Sequence, residues 1–261
     1  MTDAPLVLAS QDGAVARLVL NRPQAGNSLS HGLVAALHAE LDRLVADRSV
    51  RVIILSGAGG RIFCAGHDLG EMAAADSAEA HHADITALAA LMQAVMAQPQ
   101  IVIAKVEGVA TAAGLELVSA CDLAIASSVA RFAVPGVNIG FWCHTPQVQL
   151  TRVVGRKQAM MMLATGKLFS ADHALSIGLV NEVVDLDALD ARVDGLAAEI
   201  ASKSGHTLAA GKASFHRQLA LDVPAAYALV RDLAVKHLEH RDAKEGIAAF
   251  LEKRPAAWDQ D

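Results

Sequence analysis

The feature that most constrains this chain is the order of its apolar segments. Residues 50–56 and 101–106 are short, nearly continuous apolar runs. A run without a polar face is, as a strand, covered on both sides. Around these runs lie stretches with helical spacing. One carries Leu33, Val34, Leu37, Leu41, Leu44 and Val45 behind Ser30 as its cap. Another spans residues 78–97, with Leu88, Leu91, Met92 and Val95 on one side and Pro99 as its stop. Residues 15–20, ended by Asn21-Arg22-Pro23, and residues 123–126 read as further strands. From Pro146 the pattern is helical: 147–154, 157–164, a short helix capped by Ser170 and ended by Gly178, then 186–202, 206–219 and 224–239. Alternating strands and helices followed by helices alone predict an α/β fold with a mostly parallel sheet and a helical C-terminal part. The expected division is 1–200 for the core and 201–261 for the helical region.

Composition narrows the partners. A chain of 261 residues with 53% hydrophobic and 19% charged residues buries a sizeable core. Its net charge of -6 comes without a basic stripe, which argues against nucleic acid. An anionic ligand must then be met by local positive charge or by main-chain N–H groups. No run of about 18 uncharged apolar residues is present, so no membrane span is expected. Cys64, Cys121 and Cys143 form an odd set with no short pairing, which fits a reducing compartment. The first ten residues lack a basic segment, and the expected location is cytoplasmic.

Common motifs fail on spacing. Gly57-Ala58-Gly59-Gly60 follows a strand but lacks the G-x-G-x-x-G interval and reads as a turn. No phosphate-binding lysine loop and no serine elbow occur. His81-His82 and the His237/His240 pair lack metal-ligand spacing, so no metal is expected. Cys64 and Cys121 read as small core residues.

Two stretches carry chemistry. In Phe63-Cys64-Ala65-Gly66-His67-Asp68-Leu69 a strand ends, Gly66 permits a sharp turn and Asp68 is placed to cap a helix. Main-chain N–H groups at such a turn are free for a ligand. His67 reads either as a turn residue or as a pocket wall whose N–H meets an oxyanion. In the second stretch, Ala112, Ala113 and Gly114 let a ligand approach the start of a helix, where N–H groups and the helix dipole favour negative charge. Glu116 follows one turn in, between Leu115 and Leu117. Its neighbours four residues away are Ala112 and Ala120, so no helical partner neutralises it. It is paired from afar or catalytic.

These two stretches, in this order, resemble the two signatures of the enoyl-CoA hydratase/isomerase (crotonase) superfamily. The resemblance extends to Asn21-Arg22-Pro23, Thr165-Gly166, Ser170-Ala171, Gly178-Leu179-Val180 and residues 245–254, nearly the whole chain. It implies a crotonase-like β-β-α spiral core with a helical C-terminal trimerisation region, assembled as a homotrimer or as a hexamer built from two trimers. It implies an acyl-CoA substrate, with the coenzyme A thioester as substrate and no separate cofactor. The oxyanion-hole N–H groups fall at His67 and Ala113, and the catalytic acid/base at Glu116. Coenzyme A contacts fall at Ala65, Asp68 and Leu69, with Arg22, Phe250 and Lys253 as further candidates. Arg22, Phe250 and Lys253 also read as surface and packing residues.

The chain departs from the family pattern at one point. Family hydratases place a second glutamate after the proline matched by Pro135, and here Gly136 follows it. The next loop, Phe141-Trp142-Cys143-His144-Thr145-Pro146, is not glycine-rich. Trp142 and His144 are candidate pocket or lid residues; His144 reads as a helix-start residue or as a replacement acid. The readings open at this stage are a 2-enoyl-CoA hydratase of lyase type, a crotonase-type acyl-CoA decarboxylase or isomerase, and a non-catalytic acyl-CoA binding protein. The Gly66-His67-Asp68 and Val137-Asn138-Ile139-Gly140 variants resemble crotonase-type decarboxylases, but a tyrosine those enzymes use after this stretch is not present.

Overall fold

A computed structural model describes residues 4–259. Among the described residues ten strands form two sheets. The larger has the order β1 (Val7–Asp12), β2 (Val15–Leu20), β3 (Val52–Gly57), β5 (Ile101–Val106), β7 (Leu123–Ser127), β10 (Glu182–Val184). The smaller has the order β4 (Ile62–Cys64), β6 (Val109–Thr111), β8 (Arg131–Ala133), β9 (Phe169–Ser170). From β2 to β10 the large sheet is parallel, and only the β1–β2 hairpin is antiparallel.

Successive strands alternate between the two sheets. β3 is followed by β4, β5 by β6 and β7 by β8, and each pair leads on to helix. The helices are α2 (Leu69–Ala74) and α3 (Ala78–Ala97), then α4 (Ala113–Ala120), then α5 (Pro146–Val153). The fold is therefore the β-β-α spiral expected, each turn adding one strand to each sheet.

The apolar runs behave as two-sided strands. Every residue of β3 is buried. Ile53 and Leu55 belong to the main core with α1 (His31–Val45), α3 and α4, whereas Val52 and Ile54 pack with Leu189, Val193 and Ala197 of α8 (Leu189–Ala201). Alternate side chains of one strand thus serve two helical layers. Each fully buried Leu, Ile or Val contributes about 1.5–3 kcal/mol, so a polar residue in β3 would disturb both layers.

The remaining helices are α6 (Arg156–Thr165), α7 (Ala171–Ser176), α9 (Gly205–Leu219), α10 (Val223–Leu238) and α11 (Arg241–Glu252). Side-chain caps set several boundaries: Ser30 receives the N–H of Leu33, Ser77 that of Ala80, and Ser170 that of His173. β1 and α11 have no counterpart in the sequence reading, and Val45, expected on the apolar face of α1, is half exposed.

Candidate active site

The site lies where the small sheet hands the chain to α2 and α4. After β4 the backbone turns at Gly66, with φ +100°. The residues around it are pinned to Leu29: its N–H donates to the Gly66 carbonyl at 2.7 Å, and the Asp68 N–H donates to the Leu29 carbonyl at 3.3 Å. That bridge uses the peptides on either side of His67. The N–H of His67 itself has no acceptor among the described residues.

The second turn abuts the first. Ala112 carries φ 51° and ψ -122°, a conformation that strains a non-glycine residue by about 1–3 kcal/mol. It is held there by its N–H, which donates to the Ala133 carbonyl at 2.9 Å. Ala113 then opens α4, and its N–H has no acceptor among the described residues. A Cβ on Gly66 would lie 3.1 Å from the Ala113 nitrogen and 2.8 Å from the Ala112 Cβ. Thr111 ties the turns together by donating its hydroxyl to the Ala65 carbonyl at 2.9 Å. Two turns from parts of the chain far apart in sequence, each with an amide that has no acceptor among the described residues, are thereby packed against each other.

A cavity of about 420 Å³ opens at this junction. The first turn contributes Ala65, His67 and Leu69; the second contributes Ala112 and Ala113. Met72 of α2 and Ile85 and Leu88 of α3 supply an apolar wall. The opposite wall is the segment from Pro135 to Pro146, including Gly136, Asn138, Phe141, Cys143, His144 and Thr145.

Glu116 stands behind this last wall. Every residue of α4 is buried, and Glu116 is 3% exposed. Its Oε2 has no hydrogen-bond partner among the described residues. Burial pushes its carboxyl up to about 7, against a hydrogen bond with the Thr145 side chain that acts in the opposite direction. Such a group gains or loses a proton near neutrality. Cys143, also on the wall, has its thiol raised by burial.

The structure brings Ala65, His67, Leu69, Ala113, Gly136 and His144 onto one cavity; Glu116 is not among the residues that line it and meets that wall through its hydrogen bond with Thr145. Other candidates lie elsewhere. Asp68 caps α2, accepting from Gly70 and Glu71 at 3.0 and 3.3 Å, and its other oxygen accepts from Arg22 at 2.9 Å. Arg22 also donates to the Ser28 carbonyl, so it braces the turn from behind. Trp142 packs against the core and donates to Gln147 at 2.8 Å. Phe250 is 82% exposed, and Lys253 ends α11 in a left-handed conformation; neither lines the cavity.

Sequence reasoning missed Thr145 and Asp84. Thr145 gave no signal. Asp84 did: it occupies the position one turn before Leu88 on the apolar stripe of α3, and it is 8% exposed.

The family model described as enoyl-CoA hydratase/isomerase matches residues 10–261. Enoyl-CoA hydratase domain-containing protein 3, mitochondrial, of Xenopus laevis is 40% identical over 97% of this chain and 86% of its own length. A crystal structure of an enoyl-CoA hydratase from Mycobacterium smegmatis aligns with TM-score 0.96 at 45% identity, covering 98% of this chain and 99% of that one. The crystal structure of human enoyl coenzyme A hydratase domain-containing protein 3 aligns with TM-score 0.94 at 39% identity, covering 97% and 100%.

These relatives correct one expectation. The vertebrate relatives bear the word mitochondrial in their names, which overturns the cytoplasmic location read from the first ten residues. Compartment is set by receptor-read segments rather than by the folded domain, so the composition of that short stretch was no guide to it. The family itself is settled by the match across nearly the full length: the chain belongs to the enoyl-CoA hydratase/isomerase family.

Proposed function

We propose that this protein reversibly hydrates the double bond of a 2-enoyl-CoA thioester. One observation carries the reading: Glu116, buried and with one oxygen unpartnered among the described residues, bonds to Thr145 on the wall of a cavity that is also lined by His67 and Ala113, whose amides have no acceptor there. The N–H groups of His67 and Ala113 receive the thioester oxygen as it gains charge. A donor of this kind contributes about 3–4 kcal/mol to the transition state. Glu116 exchanges a proton with the reacting carbons. Ala65 and Leu69 border the path of the coenzyme A, Asp68 and Arg22 brace the turn that carries them, and Phe250 and Lys253 are outer contacts. His144 and Gly136 face the acyl end and Trp142 supports their loop. The thioester is the substrate, and no further cofactor enters the scheme.

The exposed apolar side chains of the last three helices, among them Phe215, Tyr227, Val235, Phe250 and Leu251, support assembly into a trimer or a pair of trimers. Sedimentation of the full chain reads the mass directly.

The test of function compares wild type with Glu116→Gln in hydration of a short 2-enoyl-CoA, alongside calorimetric binding of the saturated acyl-CoA. A loss of about 10²–10⁴-fold in kcat with binding retained is expected. Equal low rates with binding retained would leave an acyl-CoA binding protein instead. Carbon dioxide release from a carboxylated acyl-CoA, without hydration, would leave a decarboxylase.

A further inference from the structure

His67 offers more than its amide. Its ring Nε2 lies 2.7 Å from Oδ2 of Asp84, and the two side chains are 9% and 8% exposed. The other oxygen of Asp84 lies 3.1 Å from Nε2 of His31. His31, in turn, donates its main-chain N–H to Oε2 of Glu71 at 2.6 Å and is 60% exposed. An alternating series of imidazoles and carboxylates therefore runs from the cavity wall, through α3, to the surface where α1 and α2 begin.

The arrangement is costly unless it is used. A carboxylate on the apolar stripe of a helix loses several kcal/mol of hydration and needs partners for both oxygens. Asp84 spends both on histidines. A carboxylate behind an imidazole fixes its tautomer and stabilises the cation formed when the ring takes a proton. Nε2 faces Asp84 at 2.7 Å; a neutral ring that carries its proton on that nitrogen presents Nδ1 as an acceptor. Nδ1 of His67 has no hydrogen-bond partner among the described residues and belongs to a side chain that lines the cavity.

Hydration moves two protons, one off water and one onto Cα. We infer that His67, oriented by Asp84, is the second acid–base group of this cavity and takes the proton from water. The inference rests on the hydratase reading. As the water oxygen bonds to Cβ, its proton passes to Nδ1 of His67. The π pair moves onto the thioester, whose oxygen is held by the amides of His67 and Ala113. The enolate then takes at Cα the proton carried by Glu116. His67 returns its proton to solvent, and Glu116 regains one, so the balance is one water added.

Other titratable groups are placed differently. Around His67 stand Asp84 on α3, His31 on α1 and Glu71 on α2; Asp68, next in the chain, is committed to Arg22 and to capping α2. Across the cavity are Cys143, whose thiol is raised by burial and further by the nearby Glu116, and His144, which has no ion pair among the described residues.

The experiment uses the full chain as wild type, His67→Gln, His67→Ala, Asp84→Asn and Glu116→Gln. It measures hydration of a four-carbon 2-enoyl-CoA from about pH 5 to 9 and exchange of the Cα hydrogens of the saturated thioester into heavy water. His67→Gln and His67→Ala are expected to lose about 10²-fold or more in kcat for hydration. They retain thioester binding and Cα exchange, because the main-chain amide and Glu116 remain. Free imidazole should restore part of the rate of His67→Ala. Asp84→Asn should displace the pH profile and lower kcat with KM little changed. Glu116→Gln should lose Cα exchange. Rates and pH profiles of the His67 and Asp84 variants within about twofold of wild type would overturn the inference alone. So would a loss that imidazole leaves unrescued and that takes thioester binding with it, since that marks a purely structural pair. A wild type that neither hydrates nor exchanges overturns the hydratase reading and this inference with it.

Discussion

The main-chain N–H of Gly136 points at the Sγ of Cys143, 3.3 Å away. The loop doubles back tightly there, with the Phe141 N–H donating to the Gly136 carbonyl at 3.0 Å. A Cβ on Gly136 would lie 2.4 Å from the Phe141 carbonyl oxygen and 2.9 Å from that Sγ. The position is therefore closed to any side chain while the loop keeps this path. Gly136→Glu is expected to lose about 1–3 kcal/mol of stability through overpacking and to gain no hydration. Thermal unfolding and a hydratase assay check both; a well-folded variant with raised activity would contradict the claim.

Glu116 makes stability depend on pH in a defined direction. Its carboxyl rises from 4.5 in the open chain to about 7 in the fold. Between those values the native state binds more protons than the unfolded state, so stability falls as pH rises through that window and levels off above it. Glu116→Gln removes this slope. Relative to wild type the variant should gain on the order of 2–3 kcal/mol at alkaline pH and little at pH values below the ordinary carboxylate range. Urea unfolding at a series of pH values reads the difference, and parallel curves for the two proteins would refute it.

Gly66 is needed for both conformation and space. Its φ of +100° disfavours any side chain, and a Cβ would strike the Ala112 Cβ at 2.8 Å and the Thr111 oxygen at 2.9 Å. Gly66→Ala should cost more than about 3 kcal/mol and separate the two amides. Loss of thioester binding in whatever fraction folds is the expected companion result, measured by calorimetry.

Asp68 stabilises the turn from behind. Its carboxyl is held below the usual range first by the Arg22 guanidinium, and further by the N–H groups of the helix it caps. That stability is present above about pH 3.8 and fades as pH falls. Asp68→Asn keeps a cap but loses the ion pair, and should cost about 1–2 kcal/mol near neutrality. The gap to wild type should close in acid; a gap that persists below that range would assign the effect to geometry rather than charge.

The sequence by itself determined the periodic parts of this protein. The two-sided apolar runs of β3 and β5, the helix starts at Ser30 and Ser170, and the turn at Gly66 follow from side-chain spacing and local hydrogen bonding, which act over a few residues. The free amide at the start of α4 and the unpaired state of Glu116 within its own helix were legible for the same reason. β1 was not, because Val7 is its one buried residue and an exposed edge strand has little apolar pattern. Nor was α11, whose buried residues are only Asp242 and Ala249.

Only the tertiary structure decided which of these pieces meet. The contact of Gly66 with Ala112, the seat of Asp84 between His67 and His31, and the fold of residues 136–143 that leaves no room beside Gly136 join groups that no local period connects. Their distances follow from how helices and two sheets pack, a balance of burial and chain closure over the whole domain. Asp84 shows the difference most directly: its place on an apolar stripe could be read from the sequence, but the two imidazoles that make that place tolerable come from separate elements brought there by the fold.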